Sequence, residues 1–390
     1  MQVKFLPRTV VILGLVSFFN DAASEMITPL LPVFLTAALG AGPVVVGLVE
    51  GVAEATASVL KLVAGRLDDR GWNSKGLVLS GYGISNTARP LIGLAFGWSW
   101  VLLLRFLDRV GKGLRTSPRD AIIAASTDSH LRGRVFGFQR ALDHAGAVVG
   151  PLLAFALLGG GVEMRQLFLL SVVPGIMVML LLWYGLPATP AKLATDQSSL
   201  SLGWGGLDPR LRALIMAAGG LALATTPEVF LVLWAQSRGL EIVWVPLLWA
   251  AASAVKVLVA VPGGYWSDRF GRLPVLVAGW GMRILILISL GLAGSSELTI
   301  WVLFLAYAAS LAFTEGAERA LIGDFAPVGK KATAFGLYHM TSGLLALPGA
   351  VLFGALWQWF GEAPAFYTAA SLTALSVTLL LGIVTATTRS

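Results

Sequence analysis

The chain has 390 residues, of which 56% are hydrophobic and only 13% are charged. Because charged residues make up about 25% of a typical soluble domain, this composition excludes an ordinary soluble protein and predicts a surface largely covered by lipid. The formal net charge is +7, but the basic residues occupy short gaps between apolar runs, which is typical of membrane topology rather than of nucleic-acid binding. The sequence contains no cysteine, which excludes disulfides, thiolate metal sites and thiol catalysis.

Twelve apolar segments are long enough to cross a membrane as helices, since such a helix needs about 20 residues. In chain order they are predicted at 9–36, 44–65, 76–97, 100–123, 134–158, 165–187, 211–236, 243–265, 274–294, 299–324, 334–356 and 364–386. The first segment follows the N-terminus without a small-residue cleavage site, so we predict a retained helix and not a signal peptide. The segments predict an all-α membrane protein of twelve transmembrane helices.

Lysine and arginine are concentrated in alternate gaps between the predicted spans, whereas the other gaps contain only Arg165 and Arg238 beside acidic residues. Cytoplasmic loops carry the excess of basic residues, so both termini are predicted on the cytoplasmic side of the cytoplasmic (inner) membrane. The longest polar stretch, 188–210, is predicted as a cytoplasmic linker between two six-helix bundles, 1–187 and 211–390.

A short motif occurs once in each half of the chain. Gly65-Arg-Leu-Asp-Asp69-Arg70 reappears as Gly264-Tyr-Trp-Ser-Asp268-Arg269, 199 residues later in the numbering. Arg119 and Arg319 also match, at an offset of 200. The repeat predicts two bundles related by a parallel duplication, an arrangement that places substrate sites near the middle of the membrane.

With these features the chain resembles the major facilitator superfamily over essentially its whole length. The loop signature of that family is complete in the second copy of the motif, at Gly264, Asp268, Arg269, Gly271 and Arg272. The first copy keeps Gly65, Asp69 and Arg70 but lacks the trailing basic pair. Such clusters can act as a two-state gate, and the alternative is that they are ordinary loop charges that set topology.

Two further features resemble the drug:proton antiporter branch of the superfamily. Gly146-Ala-Val-Val-Gly150-Pro151 in span 5 looks like the branch's Gly-x-x-x-Gly-Pro signature, which either packs helices or also bends this one. Arg105 in span 4 stands where the branch has a membrane-embedded arginine, although Asp108 and Arg109 replace the branch's Gln and Gly.

Ionisable side chains at membrane depth are costly and usually face a cavity. The resemblance implies that spans 1, 4, 7 and 10 line the central cavity. Our candidates for proton coupling are Glu25, Asp21, Arg105 and Asp108, with Glu25 as first choice of proton carrier and Arg105 as its switchable partner. The alternative for Glu25 is a static ion pair.

A second group of charged or polar residues in the spans is predicted to line the substrate cavity: Arg109, Lys112, Arg140, Asp143, Glu228, Glu315, Glu318 and His339. His339 also fits a simple interhelical hydrogen-bond donor.

These features predict a secondary active transporter that works by alternating access, with proton-coupled efflux of a small molecule by antiport as the main hypothesis. The first rival is proton-coupled import of an organic anion or metal chelate, because the basic span 4 would attract negative charge. A rival from another class is a non-transporting membrane receptor or scaffold.

No catalytic motif or metal-ligand spacing is evident, so we expect no enzyme, no metal site and no cofactor beyond the proton gradient. The expected partners are the substrate and the lipid bilayer, with no nucleic acid, and the protein is predicted to act as a monomer.

Overall fold

The computed structural model describes residues 7–69, 72–126, 132–186, 209–325 and 331–389, and within these ranges all regular structure is helical. The predicted all-α fold is therefore confirmed. The helices are α1 (Arg8–Ile27), α2 (Leu31–Val33), a π-helical turn (Phe34–Ala38), α3 (Pro43–Asp69), α4 (Ser74–Leu91), a 3-10 turn (Ile92–Leu94), α5 (Trp98–Ala125), α6 (Arg132–Gly159), α7 (Met164–Leu170), α8 (Val172–Gly185), α9 (Pro209–Ala224), α10 (Glu228–Ser237), α11 (Trp244–Phe270), α12 (Arg272–Leu292), α13 (Glu297–Phe325), α14 (Lys331–Phe360) and α15 (Glu362–Arg389).

Twelve helical rods correspond to the twelve predicted spans. Span 1 combines α1, α2 and the π-helical turn, span 3 combines α4 with the 3-10 turn, span 6 is α7 with α8, and span 7 is α9 with α10. Spans 1 and 7 are interrupted by non-helical residues, at 28–30 and at 225–227. Each interruption contains a proline, Pro29 or Pro227, which has no N–H to continue a helix.

Ten of the twelve rods are apolar and long enough to span a membrane by length and composition within the described ranges. The two others are α4, which is rich in Ser and Gly, and α5, which carries a run of charged residues. Charged side chains of both helices are buried inside the protein. Arg89, Arg105 and Asp108 are 3%, 2% and 1% exposed. Apolar side chains face outward elsewhere, as on α8, where Ile176, Leu180 and Trp183 are exposed.

Backbone contacts divide the chain into two compact units. Unit 1 comprises Met1–Phe34, Thr56–Asp196 and Ile242–Ala250, and unit 2 comprises Leu35–Ala55, Gln197–Glu241 and Ala251–Ser390. Most of the predicted linker, 188–210, lies outside the described residues, so the division into bundles 1–187 and 211–390 stays a prediction.

Each unit has its own apolar core. In unit 1, Leu13, Val78, Tyr82, Ile123 and Leu182 are buried together and join α1, α4, α5 and α8. In unit 2, Leu214, Leu276, Trp280, Ile322 and Leu380 do the same for α9, α12, α13 and α15. These cores fix the helices on which the polar side chains below are mounted.

A single residue, Gly271, connects α11 to α12. Its backbone has φ 93° and ψ 146°, a conformation almost restricted to glycine.

We expect Gly271→Ala to destabilise the protein by about 1–2 kcal/mol, because a Cβ is unfavourable at positive φ. Gly281→Ala is the control, since Gly281 lies inside α12 and an added Cβ there meets no other described side chain or neighbouring helix within 4 Å. Denaturation in detergent followed by circular dichroism checks the difference, and equal stability of the two variants would contradict it.

Candidate functional site

Asp108 on α5 lies at the centre of a buried cluster of arginines in unit 1. Its Oδ1 is 2.9 Å from Arg89 Nε, and its Oδ2 is 3.5 Å from Arg105 Nη1 and 4.0 Å from Arg109 Nε. Arg89 comes from α4, whereas the other two flank Asp108 on its own helix. One carboxylate is therefore shared by guanidinium groups from two helices.

The same cluster extends to α1 and to Arg115, about two turns further along α5. Arg89 Nη1 donates to the main-chain oxygen of Asn20 at 3.1 Å and to its Oδ1 at 3.0 Å. Arg115 donates to Ser85 Oγ at 2.6 Å and lies over the ring of Tyr82, 4.5 Å from its centre. Charged and neutral acceptors together thus satisfy donors that would otherwise be costly to bury.

Glu25 lies in the last turn of α1, directly before the non-helical residues 28–30. Its Oε2 accepts a hydrogen bond from Trp249 Nε1 at 2.8 Å. Trp249 belongs to the segment Ile242–Ala250 of unit 1. Asp21, one turn earlier, accepts from Asn20 Nδ2 at 2.9 Å, so the two predicted proton-coupling carboxylates have different neighbours.

A second polar group in unit 1 surrounds Asp143 on α6. Gln139 Nε2 donates to Asp143 Oδ1 at 3.2 Å, and Arg119 and Arg140 approach the same carboxylate at 4.0 and 3.7 Å. Arg119 also donates to Ser17 Oγ at 2.9 Å. Of the predicted cavity residues, Arg140 and Asp143 thus lie together, while Lys112 is half-buried on α5.

In unit 2, Glu228 opens α10 immediately after the interruption in span 7. Its Oε2 is 2.5 Å from Lys256 Nζ on α11. The interruption itself is held by α13, because Tyr307 Oη donates to the main-chain oxygen of Thr226 at 2.7 Å. A predicted cavity carboxylate is therefore paired with a lysine beside a fixed break in its helix.

The other predicted cavity residues of unit 2 lie on α13 and α14. Glu318 accepts from Trp280 Nε1 at 3.1 Å and from Tyr338 Oη at 2.8 Å. Glu315 pairs with Arg319 at 2.5 Å on the exposed side of α13. His339 is exposed, and its ring centre lies 5.1 Å from that of Tyr338.

The complete motif of unit 2 divides into a paired and an exposed part. Arg272 forms an ion pair with Asp324 and donates to the main-chain oxygen of Ala320 at 2.9 Å. Asp268 and Arg269 are exposed. The helices α11 and α13 approach each other closely at Gly263, the residue before the motif. A Cβ added at Gly263 would lie 2.7 Å from the main-chain oxygen of Phe313, whereas one at Gly264 would meet no described atom of another helix within 4 Å.

Much of the first copy of the motif lies outside the described residues. Arg70 is not described, and of Asp69 only its place at the end of α3 is. Gly65 is described, and a Cβ added there would be 3.6 Å from Ser117 Cβ on α5, an ordinary packing distance. The gating role of this copy stays a prediction.

The glycine motif of span 5 packs α6 directly against α1. A Cβ at Gly150 would lie 2.5 Å from the main-chain oxygen of Ala22, and Gly146 faces the backbone of Phe18 equally closely. The helix continues through Pro151 to Gly159. The packing interpretation thus has a direct structural counterpart.

The sequence profile of the Major Facilitator Superfamily matches residues 13–313 and 247–389. The chain belongs to the major facilitator superfamily. It is 31% identical over 361 residues to an uncharacterized MFS-type transporter of Methanocaldococcus jannaschii, a match that covers 90% of this chain and 89% of that protein. The multidrug resistance protein MdtH of Photorhabdus laumondii subsp. laumondii is 24% identical over 335 residues, covering 84% and 80%. The crystal structure of the nucleoside transporter NupG has the same fold, with a TM-score of 0.79 at 12% identity over 96% of this chain and 98% of that one.

Membership of the major facilitator superfamily confirms the predicted family and makes the chain a multi-pass membrane transporter and not an enzyme. Sequence reasoning had not singled out Arg89, Trp249 or Tyr307. An arginine inside span 3 was itself a signal, because a charge at membrane depth needs a partner. No comparable signal marked Trp249 among thirteen tryptophans, or Tyr307 within an apolar helix.

Proposed function

We propose that this major facilitator is a proton-coupled exporter of small molecules in the cytoplasmic membrane. It acts as a monomer with both termini in the cytoplasm and works by alternating access. The efflux direction is supported by the similarity to a multidrug resistance protein at 24% identity and by the glycine motif that packs α6 on α1. The observation that carries the proton coupling is the position of Glu25.

Glu25 combines three properties of a proton carrier. It is half-buried, it lies at the end of α1 beside the interruption at 28–30, and it accepts a hydrogen bond from the neutral indole of Trp249. A hydrogen bond to an ionised acceptor is roughly twice as strong as one between neutral groups. Protonation of Glu25 would therefore weaken the contact between α1 and α11, which links proton binding to helix movement.

Transport in inverted membrane vesicles tests this proposal, with a panel of labelled lipophilic cations, organic anions and zwitterions as probes. We expect at least one probe to accumulate in energised vesicles, and an uncoupler to abolish the accumulation. Glu25→Gln should lower the rate at least tenfold, because it keeps the side-chain shape and removes the titratable group. Glu297→Gln, at the exposed start of α13, is the matched control. Accumulation that resists both the uncoupler and Glu25→Gln would refute proton coupling through this residue.

The second candidate function is import of an organic anion or metal chelate by the same fold. It is favoured by the buried cluster on α4 and α5, where Arg89, Arg105, Arg109 and Arg115 surround the single carboxylate of Asp108. Uptake of labelled anions into whole cells separates the two candidates, because an importer raises the internal level and an exporter lowers it. A receptor or scaffold would give no substrate-dependent proton flux in proteoliposomes.

A further inference from the structure

The interruption of span 7 in unit 2 is a built feature of the fold. Residues 225–227 are not helical, and Pro227, with φ −57° and ψ 137°, caps the start of α10. Tyr307 is fully buried and donates its hydroxyl to the main-chain oxygen of Thr226. A side chain of α13 thus donates a hydrogen bond to a main-chain oxygen that the broken helix leaves without a helical partner. The interruption is therefore a fixed part of the structure.

Two opposite charges meet at this interruption. Glu228 and Lys256 lie near the middle of the spans Leu214–Ser237 and Trp244–Phe270, and their charged atoms are 2.5 Å apart. The side chains remain 20% and 31% exposed, so part of each lies on an accessible surface. Glu228 also lies in the first turn of α10, where the helix dipole favours a negative charge.

A polar group at the same place has no partner. Thr226 is 1% exposed, and its Oγ1 has no hydrogen-bond partner among the described residues. Buried hydroxyls are nearly always hydrogen-bonded, so an unpartnered hydroxyl at the helix break, two residues before Glu228, indicates a place prepared for a polar ligand.

We propose that Glu228, Lys256 and Thr226 form a subsite for a small zwitterion that carries an ammonium and a carboxylate on the same carbon. The ammonium binds Glu228, the carboxylate binds Lys256, and the Thr226 hydroxyl gives one further hydrogen bond. This inference rests on the proposed transport function and names the class of solute.

Charge balance selects this class. A ligand with only a positive charge would take from Lys256 the carboxylate with which it now pairs, and a ligand with only a negative charge would take the ammonium from Glu228. A charge at membrane depth that loses its partner is costly. A zwitterion replaces this one ion pair by two, so Glu228 and Lys256 each keep an oppositely charged group in contact.

Calorimetric titration of the full chain in lipid nanodiscs tests the assignment with three probes of similar shape. L-leucine carries both charges, L-leucinamide only the positive one and N-acetyl-L-leucine only the negative one. We expect leucine to bind at least tenfold more tightly than either of the others. Binding of the amide or the N-acetyl compound as tightly as leucine, or binding of none of the three, would overturn the proposal.

The double variant Glu228→Gln/Lys256→Gln shows whether the binding uses this pair. It removes both charges of the pair together, and we expect leucine affinity to fall at least tenfold. Arg238→Gln/Glu362→Gln removes a pair of similar exposure at 3.0 Å in the same unit and should leave the affinity unchanged. Unchanged affinity in the first variant would place the site elsewhere.

The titration uses no proton gradient, so its result is independent of the coupling experiment. Loss of the leucine preference would leave uncoupler-sensitive accumulation intact, and failure of proton coupling would leave the leucine preference measurable.

Discussion

Replacing Asp108 by asparagine is expected to lower the free energy of unfolding by about 3–5 kcal/mol, the usual effect of removing one partner from a buried ion pair. Asparagine has nearly the same shape, so the loss is one of charge. It leaves the guanidinium groups of Arg89 and Arg105, which are 3% and 2% exposed, without the carboxylate that both contact. Titration with SDS in mixed micelles, followed by circular dichroism, measures the change.

Asp120→Asn is the control on the same helix. Asp120 also contacts an arginine, Arg119, at 3.0 Å, but its side chain is 44% exposed, and exposed pairs contribute about 0–1 kcal/mol. Equal stability losses in the two variants would show that burial does not determine the effect. An Asp108→Asn protein with unchanged stability and abolished proton flux would instead support the predicted coupling role of Asp108.

The second large effect is expected from Gly150→Ala on α6. The new methyl group would lie 2.5 Å from the main-chain oxygen of Ala22 and 3.0 Å from its Cα, and neither atom can rotate away. The helices α1 and α6 would have to separate, and overpacking of this kind costs about 1–3 kcal/mol. The same SDS titration measures it, and transport should fall as well because α1 carries Glu25.

Gly137→Ala on α6 provides the comparison. An alanine Cβ at Gly137 meets no described atom of another helix within 4 Å, and alanine is favoured over glycine in helices by about 1 kcal/mol. We therefore expect this variant to be as stable as the natural protein or slightly more so. Two variants that lose stability equally would mean that the glycines act through helix propensity and not through packing.

The helices could be predicted from the sequence because hydropathy is a local property. The segments α4 and α5 were also placed correctly, as spans 3 and 4, although they are more polar than the other ten. The interruptions in spans 1 and 7 were marked by Pro29 and Pro227, but a proline in a long apolar run fits a kink as well as a full break. In span 7 the hydrogen bond from Tyr307 to the main-chain oxygen of Thr226 marks a full break.

Individual side chains of the site could be predicted, but their pairings could not. The residues Asp108, Glu25 and Glu228 were recognised because charge is rare inside membrane spans. Arg105 and Asp108 are three residues apart on one helix, a spacing that brings side chains together. The approach of Arg89 to Asp108, and of Trp249 to Glu25, depends on how separate helices are rotated about their axes. No pattern within one helix encodes that rotation.

The polarity of α4 and α5 also constrains how the protein is made. A charged residue at the centre of a helix opposes its insertion by roughly 2.5–3.5 kcal/mol, so α5 with Arg105, Asp108 and Arg109 is a poor substrate for the translocon on its own. The preceding helix supplies Arg89 to Asp108, and backbone contact between Gly81 and Gly111 allows the two helices to meet closely. We therefore expect α4 and α5 to enter the bilayer during synthesis as a paired hairpin and not one after the other.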